Sequence, residues 1–209
     1  MSQMEERNLV LRDHVSEEVI DRVASNQHWQ LLSNIDPKNE APKSPTARFV
    51  NPLEYDNVYR KTWLTADKSM AITYSVNRHI DVRYIAVKSF RIEETLQTIR
   101  SLFEVYSDAE LADSNSSEPI DATIKRIRIL SIAAQRNLAH GKAYLDITLR
   151  AFSSPDARLR KAAVLAANYL FWQEFEQPLI HLYKTDSDPE VVAIAKQALQ
   201  DSVAEEKWA

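Results

Sequence analysis

One glycine, Gly141, stands in a chain of 209 residues, where ordinary usage would supply about fourteen. Glycine is the residue that lets backbone enter the left-handed region or approach a ligand closely. A P-loop, a dinucleotide fingerprint and a GxSxG nucleophile elbow each need several, so the sequence excludes all three. Cysteine is absent altogether, which removes disulfides, thiolate nucleophiles, Cys-based zinc sites and iron–sulfur clusters. With 44% hydrophobic and 27% charged residues, the rest is ordinary globular composition. The net charge of −4 does not favour nucleic acid on average. No run approaches the roughly 18 apolar residues of a membrane span, and MSQMEERNLV lacks a signal-peptide core. A cytoplasmic protein without cofactor, metal or membrane partner is expected.

Two polar stretches divide the chain. Asp36 to Arg48 (DPKNEAPKSPTAR) holds three prolines and reads as an extended surface loop. Ser107 to Pro119 is rich in Ser, Asp and Glu, with room for one helical turn at Leu111. A domain boundary is placed there, separating an α+β unit (1–107) from a helical unit (118–209).

In the first unit Ser16 is a candidate N-cap, followed by Glu17 and Glu18 in the first turn. An apolar stripe through Val19, Val23, Trp29 and Leu32 predicts one amphipathic helix running to about Ile35. The period then changes. Met70, Ile72, Tyr74 and Val76 alternate with smaller or polar residues, as do Ile80, Val82, Tyr84 and Ala86, which predicts a hairpin with Asn77–His79 at its tip. Ile72, Tyr74, Val82 and Tyr84 are expected to pack on a helix marked by Ile92, Leu96, Ile99, Phe103 and Tyr106. The unit reads as helix, β-hairpin, helix.

From Pro119 onward the pattern is helical. Predicted helices run over Ile120–Leu138, Ala143–Phe152 and from Ser154-Pro155 to about Trp172, then from Gln177-Pro178 and from Asp188-Pro189. Proline suits a first helical position, and Gly141 would serve as a left-handed C′ residue after the first of these helices. Leu159, Ala163, Ala166 and Ala167 have spacings 0, +4, +7 and +8, and Val191, Ala195, Ala198 and Leu199 repeat them 32 residues later. Ile127, Ser131 and Ala134 echo them 32 residues earlier. Small residues along one stripe admit a close neighbour, and a period of roughly 30–47 residues marks an α-solenoid.

The stretches SPDARLRKAAVLAANYL and DPEVVAIAKQAL resemble HEAT-like repeats, including the type found in phycobilisome lyases. The resemblance covers residues 120–202. Arg160 matches the arginine common after the key aliphatic, and Val192 stands in its place in the second copy. The run Trp63…Asp67…Ile72-x-Tyr74 resembles an N-terminal unit of some bacterial HEAT-repeat proteins. The expected fold is therefore α+β, mostly α: the small N-terminal unit followed by a short HEAT-like α-solenoid.

Candidate chemistry is sparse. His14, His28, His79, His140 and His181 include no pair three or four residues apart, so no helical metal pair exists. The acidic DSDPE run (Asp186, Asp188, Glu190) lacks the glycine and distant Glu of a calcium loop, and reads as helix capping. No serine or threonine stands at a recognisable spacing from a base, so no catalytic residue is assigned. Phe171, Trp172 and Phe175 cluster between two helices. They read as inter-helix core, with Trp172 as a candidate aromatic contact. Charge placement is uneven. Residues 122–161 carry nine cations (Lys125, Arg126, Arg128, Arg136, Lys142, Arg150, Arg158, Arg160, Lys161) against Asp146 and Asp156, net +7. The excess is either a solvated helix face or an anion- or partner-binding surface built on Lys125, Arg128, Arg158 and Lys161.

A solenoid offers an extended surface better suited to a protein than to a small substrate. The expected function is a non-enzymatic interaction module with an unidentified protein partner. The alternatives are a nucleic-acid-binding protein using the basic surface, similar in fold to the HEAT-like DNA glycosylases, whose aromatic and acidic groove residues have no mapped counterparts in this sequence, and a phycobilisome-lyase-like chaperone.

Overall fold

The computed structural model describes residues 4–36, 58–112, 118–135, 137, 140–170 and 172–206, with side chains to Asp201. The fold is mixed and mostly helical, in two compact units, Met1–Ser107 and Asp108–Ala209.

The N-terminal unit is built on a five-stranded antiparallel sheet, not on the lone hairpin that alternation predicts. Its strands are β1 (Glu5–Val10), β2 (Gln30–Ile35), β3 (Val58–Leu64), β4 (Met70–Asn77) and β5 (Val82–Ser89), in the order β1-β5-β4-β3-β2. The predicted hairpin is its centre, with Ile72 opposite Val87 and Tyr74 opposite Ile85. Helices α1 (Glu17–Asn26) and α2 (Ile92–Leu102) supply Ile20, Ala24, Ile92, Leu96 and Ile99 to the core formed with these residues. Val82 and Tyr84, expected in that core, are buried on the opposite face, paired with Asn77 and Ser75. Both faces of β5 are apolar, so alternation alone could not choose between them.

Helix α1 stops at Asn26, and Trp29–Ile35 is not its continuation. The His28 N–H donates to Ser25 O at 3.1 Å and the Trp29 N–H to Ala24 O at 2.9 Å, the paired bonds of a Schellman end. That end requires a left-handed residue, and His28 supplies it with φ 54°. The chain then turns into β2. The other tight turns are solved the same way, by Lys68 (φ 57°) between β3 and β4 and Asp81 (φ 53°) between β4 and β5. Asp67 organises the first of these. It accepts from the Thr65 hydroxyl (2.7 Å), the Ser69 hydroxyl (2.7 Å) and the Ser69 N–H (3.1 Å), and these bonds bring its pKa down to about 2. In the second, Asn77 Oδ1 accepts from the N–H groups of His79 and Ile80. Ile80 is thus a buried turn residue, outside β5.

The C-terminal unit comprises α3 (Asp108–Ala112), α4 (Ile120–Ala133), α5 (Gly141–Phe152), α6 (Ala157–Ala167), a 3-10 turn (Gln173–Phe175), α7 (Glu176–Thr185) and α8 (Pro189–Glu206). Helix α6 packs on α4, α5 and α8, while α5 also meets α7. The repeated stripe is buried except at Leu159 and Leu199, which are half-buried. Ile127, Ser131 and Ala134, then Ala163, Ala166 and Ala167, then Val191, Ala195 and Ala198 are all buried.

Helix starts are built alike at the same 32-residue interval. Ser154 Oγ accepts from Asp156 N–H and Asp186 Oδ1 from Asp188 N–H. The capping carboxylates follow, Asp156 accepting from Arg158 N–H at 2.8 Å and Asp188 from Glu190 N–H at 2.9 Å. Pro155 is consequently not at a first helical position, being followed by the N-cap Asp156, whereas Pro189 does open α8.

Gly141 is not a C′ residue either. It opens α5, and no glycine has positive φ. What it avoids is a Cβ, which would lie 3.2 Å from Cη2 of Trp172.

Candidate functional site

Two features of the C-terminal unit collect the residues that sequence reasoning picked out. The first is the basic run. Lys125 is exposed and Arg128 half-buried on α4, while Arg158 and Lys161 stand on α6. The packing of α6 on α4 puts the four on adjacent helices. Arg158 is held by two carboxylates, Asp156 at 3.0 Å and Asp121 of α4 at 3.3 Å. Lys161 pairs with Glu190 of α8.

Between them lies Arg160. Its Nε and Nη2 donate to Asp186 at 2.6 and 2.8 Å, and its Nη1 donates to the carbonyls of Ser154 (2.8 Å) and Pro155 (3.0 Å). The Asp186 side chain is 2% exposed and that of Arg160 12%. The guanidinium holds the Asp186 carboxyl below the usual carboxylate range. One turn of α6 therefore ties three neighbouring segments together with cations that the sequence shows only as an excess. Arg126 on α4 likewise reaches Glu118 at 2.7 Å, and Lys142 reaches Asp146 at 2.7 Å. All of these carboxylates belong to the C-terminal unit. Arg136, another of the nine cations, lies outside the described residues.

The second feature is aromatic. Trp172 stacks on Phe175 with centroids 5.8 Å apart and an interplanar angle of 11°, and meets Tyr144 edge-on at 5.2 Å. Tyr144 is fully buried, its hydroxyl donating to Ala166 O at 2.6 Å. Trp172 is half-buried and borders an open groove of about 670 Å³ with Gly141, Lys142, Leu145, Asp146 and Glu174. The indole thus serves both as inter-helix packing and as one wall of a surface groove. Phe171 lies outside the described residues.

Histidine offers no centre. His140, expected at a helix C-terminus, is instead the residue before α5, buried and 3.3 Å from Asp108. No group of three His, Asp or Glu among the described residues could hold a metal. Asp186 and Asp188 of the acidic run serve Arg160 and the start of α8, as the capping reading expects.

Sequence reasoning missed one polar cluster, in the N-terminal unit. The Tyr59 hydroxyl donates to Glu17 Oε1 at 2.6 Å, and Lys61 reaches Glu17 at 3.2 Å and Asp21 at 2.6 Å. Burial, then the Glu17 hydrogen bond, push the Tyr59 pKa up. Burial opposes the Lys61 charge, yet its bonds to Asp21 and Glu17 prevail and raise its pKa. These groups fasten α1 to β3. Only recognition of β3 as a strand would have placed Tyr59 and Lys61 on one face. No helix among the described residues is long and apolar enough to cross a membrane. Compared with known proteins, the chain matches no family model, no curated protein and no solved structure.

Proposed function

We propose that the C-terminal unit is a short HEAT-like solenoid and that this cytoplasmic chain acts as a non-enzymatic protein-interaction module. The observation that carries this reading is the burial of equivalent small residues at 32-residue intervals. Ser131, Ala163 and Ala195 are each fully buried on α4, α6 and α8, and α6 packs on both others. A repeat unit cannot bury its apolar stripe alone, so stacking of successive units is what such a stripe is for. The surface left over consists of side chains from successive helices, with Trp172 and its groove as the aromatic contact. Lys125 and Arg128 are candidates for a polar rim around a protein partner.

The basic run supports a structural more than a polyanion-binding role, because Arg158, Arg160 and Lys161 already face carboxylates. Such pairing offsets the field that would attract phosphate. The test is fluorescence anisotropy of the full chain with duplex and single-stranded DNA, beside affinity capture with wild-type and Trp172→Ala baits. Expected are no DNA binding even at low salt, and a captured protein that the folded Trp172→Ala chain loses. DNA binding that falls steeply between about 50 and 200 mM salt, and that Lys125→Glu with Arg128→Glu abolishes, would replace this reading with the nucleic-acid one.

A further inference from the structure

The two edges of the N-terminal sheet are finished differently. Strand β1 opens with Glu5, Glu6 and Arg7, charges that discourage a second strand alongside. Backbone already occupies its far end: Leu11 bridges Val105, and the Tyr106 N–H donates to Val10 O at 2.9 Å. Among the described residues, strand β2 has neither device. Its sequence, QLLSNI, carries no charge and no proline, and among the described residues only β3 pairs with it. Leu31, Leu32 and Ile35 are 50%, 54% and 40% exposed, three of the five large hydrophobics exposed among the described residues. A bulge at Leu31/Ser33 interrupts the inner pairing, but Ser33–Ile35 stays in regular register with β3.

We propose that β2 pairs antiparallel with β2 of a second copy of this chain, joining two five-stranded sheets across a twofold axis. The difference between the edges selects this occupant. An uncharged strand meets no like charge when laid against itself. Because β1 is blocked, a joined copy offers no further edge, so association closes at a dimer instead of growing into a fibre. With the axis at Ser33, the bulge sets Leu31 and Ile35 on opposite faces of β2, so each face of the seam carries one exposed apolar residue from each copy. The inference rests on the N-terminal unit alone and is independent of the function proposed for the helical unit.

Sedimentation velocity of the full chain over the micromolar range tests it. Wild type should be dimeric, and Leu32→Lys and Ile35→Lys should each weaken association at least about tenfold with unchanged circular dichroism. Because the chain has no cysteine, Ser33→Cys introduces a single thiol close to its symmetry mate. Facing antiparallel residues have Cα atoms about 4.5–5.5 Å apart, within disulfide reach. Ser33→Cys should therefore form a disulfide dimer on mild oxidation, and Glu5→Cys should not. A wild-type monomer throughout the range, a dimer indifferent to both lysines, or equal crosslinking at Glu5 and Ser33 would each overturn the proposal.

Discussion

Removing the Asp186 carboxylate by Asp186→Ala tests whether the basic residues of α6 are clamps. The perturbation deletes the acceptor of two Arg160 N–H groups and of the Asp188 N–H. Hydrogen bonds to charged groups contribute about 1.5–3 kcal/mol each, and breaking a buried ion pair costs about 3–5 kcal/mol. Arg160 keeps the carbonyls of Ser154 and Pro155 and a 12% exposed side chain. That places the expected loss below the buried range, at about 2–3 kcal/mol. For a unit of roughly 100 residues this lowers the melting temperature by about 10–20 °C.

A double-mutant cycle with Arg160→Met, read by denaturant unfolding, isolates the pair. The coupling expected is above about 1.5 kcal/mol, and a value below about 0.5 kcal/mol, typical of exposed pairs, would refute the reasoning. The pH dependence has a definite sign. A carboxyl whose folded pKa is depressed adds stability above its unfolded value of about 3.9, and that stability is lost as pH falls through the folded value. The Asp186 pKa is lowered, so the margin of wild type over Asp186→Ala should be full at neutral pH and shrink below about pH 4.

Two further outcomes follow from packing and backbone. Ala163→Leu and Ala195→Leu should each cost about 1–3 kcal/mol by overpacking, whereas Leu at the exposed Ala193 should stay within about 0.5 kcal/mol; equal denaturation midpoints for all three would refute the close approach of α6 and its neighbours. His28→Gly should stabilise by about 0.5 kcal/mol or more, since relief of the left-handed penalty of about 1–2 kcal/mol exceeds the added chain entropy of about 0.5–1 kcal/mol. A lower denaturant midpoint for His28→Gly would contradict that balance.

How far the sequence reveals this molecule depends on which signals are local. The β4–β5 alternation, the cap at Asp188 and the 32-residue stripe are local patterns, and each corresponds to an observed element, whereas Ser16 stands at the N-cap position of α1 without a side-chain capping bond. Strand β1 begins with charges, and β3 mixes Arg60, Lys61 and Thr62 with its apolar residues, so neither shows alternation without knowledge of what covers it. Strand β2 was hidden by a helix end that lacks the usual glycine; the apolar residues on both sides of His28 read as one stripe. The candidate cations were visible as an excess of charge. Their carboxylate partners were not, because Arg160 meets Asp186 across 26 residues and Lys161 meets Glu190 across 29. Trp172 could be singled out as an aromatic, but its dependence on Gly141 is a contact between segments.

The scarcity of glycine also has a consequence on the other side of the folding equilibrium. Each glycine replaced by a residue with a side chain narrows the denatured ensemble, an effect of about 0.4–1 kcal/mol wherever the native backbone tolerates it. This chain accepts left-handed strain at His28, Lys68 and Asp81 and keeps its only glycine where Trp172 needs the space. Its unfolded state is correspondingly poor in the most freely rotating backbone positions. Chain-entropy loss on ordering the turns is then smaller than in a glycine-rich homologue of equal length. Introducing glycine for an exposed alanine in a helix should erode stability by about 0.5–1 kcal/mol, chiefly by enlarging the unfolded ensemble.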